Sequence, residues 1–268
     1  MIRGITIGQY YTTNSILHKL DPRVKLIGTI SYIFSLFLIN GYGGMLISGI
    51  FLAIIIVLSK VPIGYMIKGL KPIILLLIFT SLFNLFSIKG TTLIEIGVFE
   101  ITREGIKITI ITVIRLIFLI LGSSLMTFTT TPNHLTDGLE CLMKPLNKIK
   151  VPVHEIAMMC TIALRFIPIL LEETDKIMKA QMARGADFES GNIIKKAKSL
   201  IPVLVPLLVS AFRRANDLAV AMEARCYQGG EGRTKMKPLH YYRRDYIGYA
   251  ILIAYFTIIF TLPRFAVW

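Results

Sequence analysis

Charge is scarce in this chain. Asp, Glu, Lys and Arg make up 17% of its 268 residues, against 54% hydrophobic ones, where a soluble domain is nearer a quarter charged. Mean hydropathy is +0.66. The apolar residues fall in long blocks instead of alternating stripes, which a lipid bilayer accommodates and water does not. Cysteine is rare as well. Cys141, Cys160 and Cys226 form no CxxC pair, which excludes a disulfide scaffold and leaves reduced thiols. The four histidines, His18, His134, His154 and His240, are scattered and build no HExxH, so no local metal site is read. No GxxxxGK(S/T) occurs to cradle nucleotide phosphates, no GxSxG marks a nucleophile, and no pair of carboxylates sits inside an apolar run. No catalytic, cofactor-binding or metal-binding residue follows, and any energy source must come from a partner.

Five apolar runs are present: Leu26 to Ile39, Met45 to Leu58, Ile73 to Ile88, Ile106 to Phe128 and Tyr246 to Leu262. Each approaches the roughly 20 residues that a spanning helix needs. The polar N-terminal end lacks a small-residue cleavage site and is not read as a removable signal peptide. The net charge is +14, and its placement explains it. Arg3, Lys19, Arg23 and Lys25 precede the first run, and Lys60, Lys68 and Lys71 follow the second. The segment from Thr129 to Asp245 holds 18 Lys and Arg against 12 Asp and Glu. Basic-rich and basic-poor connections alternate, as the positive-inside rule requires. The expected topology is a cytoplasmic N-terminus and an outside C-terminus in the cell membrane. Nucleic-acid binding is not needed to account for the charge.

The fold class expected is therefore an all-α polytopic membrane protein. Residues 1–128 supply four spans, 129–245 a cytoplasmic helical domain, and 246–268 the fifth span. Two stretches of the insertion are apolar without reading as spans. Val153 to Leu171 carries His154, Glu155 and Arg165, and a mid-membrane Arg costs about 2.5–3.5 kcal/mol on insertion scales. Leu200 to Phe212 is too short. Periodicity predicts one long helix over 153–184, with Ile156, Met159, Ala163, Phe166, Leu170, Ile177 and Gln181 on one face. Pro168 should kink it. A second is predicted over 201–225, with Pro202 in its first turn. Met143, Met158, Met159, Met178, Met182 and Met222 read as core, or else as an adaptable surface. Lys195, Lys196 and Lys198 suit anionic lipid headgroups. Arg115 lies within the fourth run, where it either snorkels outward or pairs inside the bundle.

The two predicted helices end alike, one at Ala183-Arg184-Gly185 and the other at Ala224-Arg225-Cys226. An Arg there answers the helix dipole, and Gly185 is an ordinary cap. The repetition gives the pair a second use, since a guanidinium on a helix tip can fork onto a partner's carboxylates or carbonyls.

Further segments carry a resemblance: Ser15-Ile16-Leu17-His18-Lys19-Leu20-Asp21-Pro22-Arg23-Val24-Lys25-Leu26, Thr129-Thr130-Thr131-Pro132, and Ala163-Leu164-Arg165-Phe166-Ile167-Pro168. With the two Ala-Arg-x ends they span nearly the whole chain. In that order they resemble the transmembrane T component of energy-coupling factor transporters, importers of vitamins and metals. The resemblance implies two ATP-binding ATPase subunits docked on two Ala-Arg-Gly signatures, and a membrane-embedded substrate-binding subunit that the coupling helices reorient. Ala183, Arg184 and Gly185 match the first signature. Ala224 and Arg225 match the second, where Cys226 replaces Gly, and cysteine does not easily take positive φ. A dedicated cobalt, nickel or biotin component is the alternative within the family; a polytopic membrane enzyme is the alternative outside it.

Overall fold

The computed structural model describes residues 10–39, 41–88, 90–96, 99–188, 192–230 and 235–261. Arg3 and Leu262, the expected end of the fifth run, lie outside them, as do residues 263–268. Nine α-helices carry the described fold: α1 Pro22–Leu38, α2 Tyr42–Ser59, α3 Ile63–Leu70, α4 Ile74–Ser87, α5 Arg103–Thr129, α6 Pro132–Met143, α7 Val153–Ala183, α8 Ile193–Ala224 and α9 Arg243–Thr261. The class is helical, with one addition. The mixed-charge connection before α5 forms a short antiparallel hairpin, β1 Thr92–Ile96 with β2 Phe99–Thr102.

The chain divides into two compact units. Among the described residues, the first comprises 10–142 and 239–261, thus α1 to α6 and α9; the second comprises 143–238, thus α7 and α8. The outgoing boundary of the bundle unit falls after Leu142, at the end of α6.

In the helical bundle the middle of α1 is buried. Tyr32, Leu36 and Ile39 form a core with Met45 and Leu52 of α2 and with Tyr255 and Ile259 of α9. The hydroxyls in that core satisfy one another. Ser35 Oγ lies 2.8 Å from the Tyr255 hydroxyl, which donates to Ser48 Oγ at 3.3 Å; Ser48 in turn donates to the Tyr32 hydroxyl at 3.2 Å. Such bonds hold spans together where lipid supplies no hydrophobic drive. A second cluster, Val61, Met66, Leu125 and Phe128, joins α3 to the end of α5. By contrast α4 exposes Leu75, Phe79 and Phe83, as a lipid-facing helix does.

Among the described residues, five helices are long and apolar enough to span: α2, α3 continued through Lys71–Ile73 into α4, α5, α7 and α9. Four overlap the expected runs. The first expected run, Leu26 to Ile39, lies in α1, whose 17 residues sit at the short limit for a span. Arg115 reaches the end of this helix. Its Nη2 donates to the Ile39 carbonyl at 2.6 Å, at the C-cap of α1, so a helix-end acceptor gains a donor within apolar surroundings. Of the two roles open to Arg115, the structure selects pairing inside the bundle.

Two expectations are corrected here. Helix α8 starts at Ile193, eight residues before Ile201, so Pro202 and Pro206 both lie inside it. Lys196, Ala197 and Lys198 are good helix formers and extend it backward, and Pro202 merely leaves the Lys198 carbonyl without its usual donor. The core role of the methionines fails in part: Met159 and Met182 are exposed, while Met143, Met158, Met178 and Met222 are half-buried.

Candidate functional site

Helices α7 and α8 run antiparallel. Arg214 Nη2 of α8 donates to Glu173 Oε2 of α7 at 2.8 Å, and Gln181 Nε2 donates to the Pro202 carbonyl at 3.4 Å. Beyond the end of α8, Gly230 sits so close to His154 that an added methyl would lie 2.6 Å from its ring. Higher numbers on one helix thus meet lower numbers on the other. The packed stripe of α8 comprises Val203, Leu207, Ser210, Arg214, Leu218 and Met222, all buried or half-buried. On α7 the predicted face holds beyond the middle, where Phe166, Leu170, Ile177 and Gln181 are half-buried. Before it, Ile156, Met159 and Ala163 are exposed.

The two helix ends share one geometry. Arg184 is the C-cap of α7, at φ −89° and ψ 8°. Gly185 follows at φ +86° and donates its N–H to the Met182 carbonyl at 2.9 Å; Ala186 donates to Gln181 at 3.0 Å. Arg225 is the C-cap of α8, at φ −93° and ψ 15°. Cys226 follows at φ +56° and donates to Glu223 at 2.8 Å; Tyr227 donates to Met222 at 3.1 Å. Both ends are therefore Schellman motifs with Arg at the same position. Cys226 adopts the left-handed conformation that its chemistry disfavours, and the cap is preserved.

Both arginines are exposed. Among the described residues neither guanidinium has a hydrogen-bond or ion-pair partner, so both forks are free for an acceptor from elsewhere. Each stands at the negative end of its helix, where peptide carbonyls also remain available.

The apolar scan of the sequence missed the Glu173–Arg214 pair, which lies midway between the two ends. Arg184 is eleven residues beyond Glu173 on α7, and Arg225 eleven beyond Arg214 on α8. Antiparallel packing sends these arms in opposite directions, each about 16 Å long at 1.5 Å per residue. The two arginines thus stand roughly 33 Å apart along the pair. They cannot serve one pocket; they can serve two.

The comparisons with known proteins agree with this architecture. Residues 13–236 match the CbiQ family, described as cobalt transport protein. The chain is 57% identical over 257 residues to the energy-coupling factor transporter transmembrane protein EcfT of Ruminiclostridium cellulolyticum, covering 96% of both chains. It is 55% identical to the protein of the same name from Clostridium kluyveri, over 92% of each, and 48% identical to that from Bacillus subtilis, over 91% of this chain and 93% of that one. Similarity of this extent, over nearly the whole chain, decides membership: the chain belongs to the family of energy-coupling factor transporter transmembrane components.

Proposed function

We propose that this chain is the non-catalytic coupling subunit of an ATP-driven importer of vitamins or other micronutrients, and that Arg184 and Arg225 each dock one ATPase subunit. The observation that carries the reading is the matched pair of Schellman ends. Equivalent exposed arginines, placed symmetrically about the Glu173–Arg214 bridge, suit two equivalent partners. Ala183 and Ala224 precede them with minimal bulk, while Gly185 and Cys226 turn the chain away from each tip. Approach and separation of the ATPases then bear on opposite ends of one helix pair, and the bound states of the lever differ in what they contact.

The substrate-binding membrane subunit is assigned to the other face of α8. Ile201, Leu204, Val205, Leu208, Val209 and Phe212 recur at helical spacing and are all at least 54% exposed. Such a stripe is suited to an apolar partner at the membrane surface. The basic character of one bundle end supports its cytoplasmic placement. Lys19, Arg23, Lys25, Lys60, Lys68, Arg243 and Arg244 flank the start of α1, the end of α2, the start of α9 and helix α3. Arg165, exposed midway along α7, favours placing that helix outside the bilayer although its length would permit a span.

Affinity purification of the tagged chain from its native membranes tests the reading. Two ATPase subunits and a membrane-embedded substrate-binding protein are expected in the eluate. A chain that purifies without ATPases and turns over a substrate by itself would overturn it.

A further inference from the structure

The first turn of α1 gathers contacts from every neighbouring segment at its end of the bundle. Asp21 caps the helix, its Oδ1 accepting from the Arg23 N–H at 2.8 Å. The Arg23 side chain grips the same carboxylate through Nε at 3.0 Å and Nη2 at 2.9 Å. Its guanidinium also lies 3.8 Å from the centroid of the Tyr241 ring. Lys25 Nζ donates to the Thr129 carbonyl at 2.8 Å and to that of His18 at 3.3 Å. Asp245, fully buried, accepts from the Asp21 N–H at 2.8 Å and from the Tyr242 N–H at 2.7 Å. Asp21 is thus paired with Arg23, while Lys25 and the buried Asp245 are satisfied by backbone carbonyl and N–H groups, as buried charges require.

What these contacts hold is specific. The polypeptide leaves the bundle unit after Leu142 and returns at Leu239. On the way out it passes Thr129, held by Lys25, and then α6, whose Gly138 rests on α1. A methyl on Gly138 would come within 3.0 Å of Pro22 Cβ and 3.1 Å of Leu26 Cδ1. On the way back it passes Tyr241, stacked on Arg23, and Tyr242 with Asp245, bonded to one another and to Asp21. Both ends of the 143–238 segment are therefore fastened, where they join the bundle, to residues 21–26.

We infer that Asp21, Arg23, Lys25 and Asp245 are positioning residues that transmit movement of the α7–α8 unit into the bundle, by clamping the outgoing and returning chains to the start of α1. The inference rests on the coupling role proposed above. A displacement applied through a chain connection reaches the bundle only if the connection is stiff where it enters. Unclamped, the two residues between α5 and α6 and the non-helical stretch before α9 would absorb it as backbone rotation, as hinges do.

The test uses the complete transporter in proteoliposomes, with ATP hydrolysis and substrate uptake measured on the same preparation. Lys25→Met leaves the Thr129 and His18 carbonyls without their donor. Hydrolysis should stay within about twofold of the parent while uptake falls about tenfold or more, as loss of charge-assisted bonds implies. Lys25→Arg, which keeps several donors, should restore uptake. Tyr241→Ala, at an exposed ring, should give the same split more mildly, and it decides the matter if Lys25→Met does not accumulate. Uptake and hydrolysis falling together, in proportion to assembled complex, would overturn the inference and leave a purely structural cluster. So would uptake unchanged in both variants. Failure of the parent chain to bring ATPases with it would instead count against the functional reading itself.

Discussion

At Cys226 a side chain occupies the left-handed region that glycine ordinarily fills, and the cap bonds survive it. The strain of a non-glycine residue there is about 1–2 kcal/mol, offset in part by the greater chain entropy glycine loses on folding. Cys226→Gly should accordingly stabilise the end of α8 by about 1 kcal/mol or less. Thermal unfolding would read the stability, and co-purification should show ATPase binding unaltered; a large loss of uptake with normal assembly would give the thiol a role of its own. His18 offers a test by pH. Burial lowers its pKa below the usual 6.5, against a raising contribution from its bond to the Tyr11 carbonyl. The neutral ring donates from Nε2 to Tyr11 at 2.9 Å, while Nδ1 accepts from the Ser15 hydroxyl at 2.7 Å. The unfolded chain takes up the proton first as pH falls, so this stabilisation is complete above about pH 6.5 and declines below it. Parent protein should lose thermal stability as pH falls below about 6.5, and His18→Gln should flatten that dependence. An unchanged slope would remove His18 as its source.

At the scale of elements, the sequence showed what apolar periodicity can show. The runs over α2, α4, α5 and α9 are long and uninterrupted, so their helices and approximate limits were legible. The Ala-Arg ends were legible because two copies of one local pattern occur at helix termini. Three features were not. The start of α8 was hidden because Pro202 resembles a first-turn proline, whereas Ile193–Ser199 extends the helix ahead of it. Glu173 occupies the same face as Leu170 and Ile177, yet a search for apolar spacing discards a carboxylate. Its partner Arg214 lies 41 positions away, a pairing only the fold reveals. The clamp on α1 escaped for the same reason, since Asp21 and Asp245 stand 224 positions apart. The Glu173–Arg214 bridge is partly exposed, with side chains 27% and 40% accessible, so its net contribution is about 1 kcal/mol or less. Glu173→Gln with Arg214→Met should therefore leave both helices formed by circular dichroism. Spin labels near Arg184 and Arg225 should nevertheless report a broader distance distribution, because the midpoint tie is gone. An unchanged distribution would assign the alignment to the apolar stripe alone.

For the whole molecule, orientation and docking are linked. A single cysteine placed at Lys198 in a cysteine-free chain should resist an impermeant reagent in intact cells and react after lysis. Labelling from outside would reverse the assignment of the α7–α8 unit to the cytoplasm. The coupling account itself stands on the two arginines. As helix caps alone they would contribute only about 0.3–1 kcal/mol each through the dipole, and their reversal would be a mild defect. As docking groups they face partner acceptors, and truncating one side of a buried charged pair typically costs about 2–5 kcal/mol. The deciding measurement is ATPase recovery with the tagged double variant Arg184→Glu and Arg225→Glu, purified beside the parent and normalised to membrane-inserted chain. The account predicts normal membrane insertion with no ATPase recovered and no uptake. ATPase recovery near the parent level would reduce both arginines to helix caps and contradict it.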